Sequence, residues 1–238
     1  MSSPRVASVL TAEALGTFLF FFVGMGAVVL AEHTGGGGGL VGVALAHGLA
    51  LAVLVSALGA VSGAHFNPAV TIAVLVSGRI APALAAMYVA AQLVGALAAG
   101  LALRSIFPES SWGPVALGTP AVDPAIGVAG AIVVEAVLTV LLLIAVFGTA
   151  IDHRAPKLGG LAIGLAVAAD ILMGGPITGA AMNPARWFGP AVASGSFDNW
   201  YVWWIGPLVG ALVAAVIYRL VLEDRARADV TPATPQGT

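Results

Sequence analysis

Apolar residues fill this chain in six long blocks, covering about residues 6–31, 40–60, 81–103, 125–150, 158–174 and 200–222. Each has the length at which a helix crosses a bilayer, roughly 17–25 residues. Runs of this kind suit a helical bundle, whereas an outer-membrane barrel needs short alternating segments and many polar lumen residues. The first block starts almost at the N-terminus and continues past Leu30 with Glu13 inside it. That is too long for a signal-peptide core, so it is read as a retained span. Between the blocks lie a flexible glycine run over 35–39, a long loop over 104–124 carrying Pro108, Pro114 and Pro120, and the polar connection Asp152-His153-Arg154-Ala155-Pro156-Lys157. From Glu223 the chain becomes charged and then Pro/Thr-rich. This is the composition of a disordered tail over 223–238, leaving a single membrane domain over 1–222.

Two shorter runs do not fit that scheme. Ser62-Gly63-Ala64-His65-Phe66-Asn67-Pro68-Ala69-Val70 and Thr178-Gly179-Ala180-Ala181-Met182-Asn183-Pro184-Ala185-Arg186 each set Asn-Pro-Ala between an irregular glycine-containing segment and a short apolar run. Asn caps a helix N-terminus well, and Pro suits the first helical position, where no backbone donor is needed. The spacing predicts half-helices over 67–78 and 183–194, too short to span a bilayer. Their surroundings also repeat. Gly48-Leu49-Ala50 lies 19 residues before Asn67, and Gly164-Leu165-Ala166 lies 19 before Asn183. Leu93-Val94-Gly95-Ala96-Leu97 is echoed by Leu208-Val209-Gly210-Ala211-Leu212, and Glu13-Ala14 by Glu135-Ala136. With three spans per half, the copy over about 125–222 enters the membrane upside down relative to the copy over about 6–104. Inverted repeats with broken helices place a substrate path at the midplane, where the copies meet. The half-helices are therefore expected to re-enter from opposite faces with their N-termini opposed.

Composition narrows the chemistry. Hydrophobic residues make up 60% of the chain and charged ones 8%, which makes it an integral membrane protein; soluble domains carry roughly a quarter charged residues. The net charge of −2 gives no case for nucleic acid, and the absence of cysteine removes thiolate catalysis and disulfides. Four scattered histidines lack metal-ligand spacing, and no nucleophile–base pair is evident, so neither a metal, another cofactor nor an enzyme is expected. Arg5, Arg79, Arg154, Lys157, Arg219, Arg225 and Arg227 fall on one side of the membrane and only Arg104 on the other, Arg186 being set aside as buried. The positive-inside rule then puts both termini in the cytoplasm.

Two helix N-termini meeting at mid-bilayer create a positive potential that repels cations and hydronium. Asn67 and Asn183 can each cap a helix with the side-chain oxygen while their amide hydrogens face the passage. Irregular backbone at this depth is tolerated only where its carbonyls line a wet cavity. The expected object is a narrow pore with donors at its centre and acceptors along one wall, passing small neutral hydrogen-bonding molecules and excluding ions and protons.

These residues resemble the aquaporin (major intrinsic protein) family over about 8–222: both motifs (Asn67, Pro68, Ala69 and Asn183, Pro184, Ala185), the Glu opening each half, Gln92 and Arg186. The resemblance implies an all-α membrane protein of six transmembrane helices plus two re-entrant half-helices in an inverted repeat, assembled as a homotetramer with one pore per subunit. Over 160–210 the chain looks most like tonoplast intrinsic proteins of plants. Carried over position by position, the resemblance maps a selectivity filter onto His47, Ile171, Ala180 and Arg186. An intramembrane Arg is expensive and by default functional. The matching residue of the first half is Val70, so this charge belongs to one mouth only. His47 stands where strict water channels of the family carry Phe, which implies a wider filter with room for ammonia, hydrogen peroxide or urea beside water. Family glycerol channels have Asp after this Arg; here Trp187 follows, itself a departure from the usual Ser.

Among the other polar residues, His65 is expected to line the cytoplasmic vestibule. Glu13, Glu135 and Gln92 are expected to accept or donate hydrogen bonds to irregular backbone within their own halves. Asp170, where tonoplast members have Asn, is a candidate to tune the filter by accepting a hydrogen bond from His47 or from nearby backbone. The leading expectation is a passive water channel of the plasma (cell inner) membrane, with ammonia or peroxide as secondary solutes. A glycerol or urea facilitator, an ion-coupled secondary transporter and a mainly adhesive membrane protein are the alternatives.

Overall fold

The protein, described here from a computed structural model, is placed over residues 6–154 and 158–222. The tail over 223–238 and the orientation residues Arg5, Lys157, Arg225 and Arg227 lie outside the described residues. Among the described residues, six helices are long and apolar enough to cross a membrane: α1 (Val6–His33), α2 (Gly39–Ser62), α4 (Pro82–Ile106), α6 (Gly127–Ile151), α7 (Leu161–Thr178) and α9 (Val202–Leu222). Between them sit two half-helices, α3 (Pro68–Val76) and α8 (Pro184–Ser194), and one turn of helix, α5 (Glu109–Trp112). At 9 and 11 residues the half-helices reach about halfway across a hydrocarbon core of roughly 30 Å.

Several element ends differ from the sequence expectation, each for a local reason. The span predicted to stop near 174 continues through Pro176 to Thr178. Pro weakens a helix in water, but in lipid the need to satisfy every backbone group carries it onward. What stops α7 is Gly179, at φ +78, whose N–H bonds back to the Gly175 carbonyl. Gly63, at φ +84 with its N–H on the Gly59 carbonyl, stops α2 two residues beyond the expected end in the same way. The long loop after the third span is shorter than predicted, because α4 runs on to Ile106 and α5 follows directly.

The helix pairings repeat between the halves: α1 packs along α4 as α6 packs along α9, and α2 crosses α7 where the repeats meet. Glycines make these approaches possible. A Cβ on Gly95 would lie 2.2 Å from the Ala14 carbonyl oxygen, and one on Gly210 would lie 2.3 Å from that of Ala136. At the central crossing, a Cβ on Gly164 would sit 2.2 Å from the Gly48 carbonyl oxygen, and one on Gly48 would sit 2.6 Å from that of Gly164. Backbone cannot yield as a flexible side chain does. Gly164→Ala is therefore expected to lower stability by about 1–3 kcal/mol, the usual penalty of overpacking. Thermal unfolding in detergent against wild type is the check, and an unchanged midpoint would mean that the crossing has slack.

A candidate pore and its filter

The two re-entrant segments share one construction. Ala64 and Phe66 in the first half, and Ala180 and Met182 in the second, all hold positive φ, between +44° and +52°. This left-handed backbone costs roughly 1–3 kcal/mol per residue and survives only where the surroundings over-determine it. Here a buried carboxyl does so in each half. Glu13 Oε1 accepts from Ser62 Oγ (2.6 Å) and His65 N (3.0 Å), and Oε2 from Phe66 N (2.8 Å) and Gln92 Nε2 (2.8 Å). Glu135 Oε1 accepts from Thr178 Oγ1 (2.7 Å) and Ala181 N (2.9 Å), and Oε2 from Met182 N (2.7 Å). With N–H groups tied to the glutamates, the pore side of the backbone is left to acceptors.

Each Asn caps its half-helix as the sequence suggests. Asn67 Oδ1 accepts from Ala69 N at 2.8 Å, and Asn183 Oδ1 from Ala185 N at 3.0 Å. Their amides do something the sequence did not reveal. Asn67 Nδ2 donates to the Met182 carbonyl at 2.9 Å, and Asn183 Nδ2 to the Phe66 carbonyl at 3.0 Å. One hydrogen of each amide therefore locks the halves together, leaving one per Asn for the passage rather than two. Two further ties were also missed: Tyr88 Oη donates to the Ser62 carbonyl at 2.8 Å, and Trp203 Nε1 to the Thr178 carbonyl at 2.9 Å. Both cap the helix end that precedes a re-entrant segment. Their nearly matched places, 21 residues after Asn67 and 20 after Asn183, were the available signal; their backbone partners carried none.

Two cavities approach this centre from opposite sides. The inner one runs from Ala150 and Ile151 past His65, Asn67 and Asn183 to Arg186; the outer one runs from Leu40 and Thr119 to the same Arg186. They share His47, Ile171 and Arg186, and Ala180 lines the inner one beside them. The structure thus brings the four expected filter residues together. The Arg186 guanidinium donates through Nε to His47 Nε2 at 3.2 Å and through Nη1 to the Gly118 carbonyl at 2.7 Å. Because Nε2 accepts, the His47 proton sits on Nδ1, which donates to the Val43 carbonyl at 2.9 Å. The Gly118 contact had no sequence signal, since a loop carbonyl looks like any other. Offsetting the filter by the distance between the two motifs gives Ile163, Val55, Ala64 and Val70, which line the inner cavity as a wholly apolar counterpart. His65 also faces that cavity, with Nδ1 3.1 Å from Thr71 Oγ1 and its ring edge on Tyr88.

Asp170 requires a correction. The hydrogen bond expected from His47 is absent, because both ring nitrogens are engaged elsewhere. Asp170 is buried, lines neither cavity, and neither carboxyl oxygen has a hydrogen-bond partner among the described residues. Successive helix residues point about 100° apart, so adjacency to Ile171 in sequence does not put Asp170 on the pore face. Asp170→Asn is expected to leave water flux unchanged. Asp170→Leu, which copies Leu54 at the matching place of the first half, should hold or raise thermal stability, since an unpartnered buried polar group costs about 1–3 kcal/mol. Altered solute flux in the Asn variant would restore a tuning role.

Six spans, two opposed half-helices and two cavities that meet at one arginine define a membrane channel for small neutral molecules. Residues 1–218 match the family described as Major intrinsic protein. Aquaporin TIP4-4 of Zea mays is 45% identical over 215 residues, covering 87% of this chain and 83% of that protein. Aquaporin-2 of Rattus norvegicus is 41% identical over 218 residues, covering 91% and 79%. The X-ray structure of the aquaglyceroporin from Plasmodium falciparum matches with a TM-score of 0.81 at 26% identity, over 92% of this chain and 97% of that one. The chain belongs to the major intrinsic protein family, a family of channels and not of enzymes, and it is a passive water channel of a membrane it crosses several times.

Proposed function

We propose that water passes in file between Asn67 and Asn183 and through a filter of His47, Ile171, Ala180 and Arg186, with ammonia and hydrogen peroxide as secondary solutes and with ions and protons excluded. The observation that carries this reading is the meeting of two oppositely directed cavities at the Arg186 guanidinium. After its bonds to His47 and Gly118, the guanidinium keeps three of its five N–H donors for a permeant oxygen. A cation arriving there meets like charge and loses its water. Glu13, Glu135 and Gln92 act as structural supports of the re-entrant backbone, His65 as a vestibule residue.

The assembly proposed is a homotetramer, each subunit with its own pore, with both termini cytoplasmic in the plasma (cell inner) membrane. Likeness to TIP4-4 makes a vacuolar membrane the competing address, and fractionation of the native cell decides between them. The test of transport is stopped-flow light scattering on proteoliposomes. Water flux should exceed that of bare lipid by at least an order of magnitude with low activation energy, ammonia and peroxide should follow, and glycerol should lag. Shrinkage no faster than bare lipid, or a ready proton leak, overturns the reading; glycerol flux matching water replaces it with a facilitator.

A further inference from the structure

The filter histidine leans on a helix that contributes no residue to the filter ring. Gly24 of α1 lines neither cavity, yet a Cβ built on it would lie 2.4 Å from both Cδ2 and Nε2 of His47. Only glycine lets the imidazole sit this close to the α1 backbone. One turn earlier, Phe20 meets the same ring edge-on, with centroids 6.0 Å apart. The ring is otherwise fixed by the Val43 carbonyl at Nδ1 and by Arg186 Nε at Nε2. A methyl on Gly24 would strike the very nitrogen that orients Arg186.

We propose that Gly24 is a specificity-determining positioning residue: the missing side chain on α1 sets how deeply His47 is seated, and through it the aperture of the filter and the aim of Arg186. The inference rests on the filter reading above. With α1 backbone behind it, a displaced ring moves away from that helix, toward the passage that Ile171 and Arg186 line with it. Interiors are close-packed, so a shift of one methyl is felt. A narrower aperture obstructs hydrogen peroxide more than water. On the same helix, a Cβ on Gly26 would meet only Leu103 Cδ2, at 3.3 Å, far less tightly, and so provides a control.

The test compares wild type, Gly24→Ala, Gly26→Ala, His47→Ala and the Gly24→Ala/His47→Ala double variant in proteoliposomes at matched incorporation, reading water flux and the peroxide-to-water ratio. His47→Ala should raise the ratio several-fold. Gly24→Ala should lower water flux several-fold and the ratio further, while Gly26→Ala stays at wild-type values. In the double variant the Gly24 effect should vanish, because no ring remains to be pushed. If Gly24→Ala acts equally without His47, helix packing carries the effect and the proposal falls. If Gly24→Ala changes nothing while His47→Ala raises the ratio, the proposal falls and the filter reading stands. If His47→Ala itself leaves the ratio unchanged, the filter reading fails. Should Gly24→Ala alone not fold, rescue of a monodisperse protein by His47→Ala supports the contact, and lack of rescue overturns it.

Discussion

Glu135→Leu should yield a protein that no longer holds its second re-entrant segment and survives detergent extraction poorly. The carboxyl is fully buried and accepts from Thr178 Oγ1, Ala181 N and Met182 N. Leucine removes all three acceptor contacts and leaves the donors inside the bilayer. Each buried donor left unsatisfied costs about 1–3 kcal/mol, so the loss approaches the whole stability of an ordinary domain, about 5–15 kcal/mol. The left-handed residues Ala180 and Met182 lose their restraint at the same time. With them goes the carbonyl that accepts from Asn67 across the midplane. Glu135→Gln should be milder but still damaging, since one oxygen becomes an amide donor facing donors. The measurement is the monodisperse fraction after extraction and its thermal midpoint. A Leu variant as heat-resistant as wild type would show that the backbone holds its shape unaided.

This bracing was legible in outline from the chain alone, and the reasons are specific. Asn-Pro-Ala marks a helix start by side-chain chemistry that works in any environment, so both half-helices and their caps could be read. Gly48 and Gly164 stood out because the same spacing placed them before each motif, and the structure puts them at the crossing of α2 and α7. Where the partner is a backbone carbonyl, the sequence has nothing to display. Gly118 on Arg186, Phe66 on Asn183 and Met182 on Asn67 are all of this kind. Helix ends were misjudged where the medium overrides a local rule, as at Pro176. Asp170 misled for a different reason. Adjacency in sequence to a pore residue says little about which face of the helix a side chain occupies.

Arg186→Val is the substitution with the largest expected effect on selectivity. The matching place in the first half is already Val70, which lines the inner cavity without disrupting its half-helix. The variant should therefore fold and conduct water at a rate comparable to wild type. What disappears is the fixed positive charge where the two cavities meet. Two like charges about 4 Å apart repel by roughly 4 kcal/mol at an effective dielectric constant of 20, which is about a thousandfold in the passage of a cation. The opposed N-termini of α3 and α8 still resist cations, each equivalent to about half a charge, and dehydration still opposes any ion. Proton and small-cation leak should accordingly rise well above wild type without becoming free. A pH-sensitive dye inside proteoliposomes, read under an imposed gradient at matched incorporation, measures the leak directly. If protons enter no faster than through wild type while water flux is preserved, the guanidinium is not the barrier. Exclusion would then have to reside wholly in the paired half-helix ends and the single amide hydrogen each Asn offers to the passage.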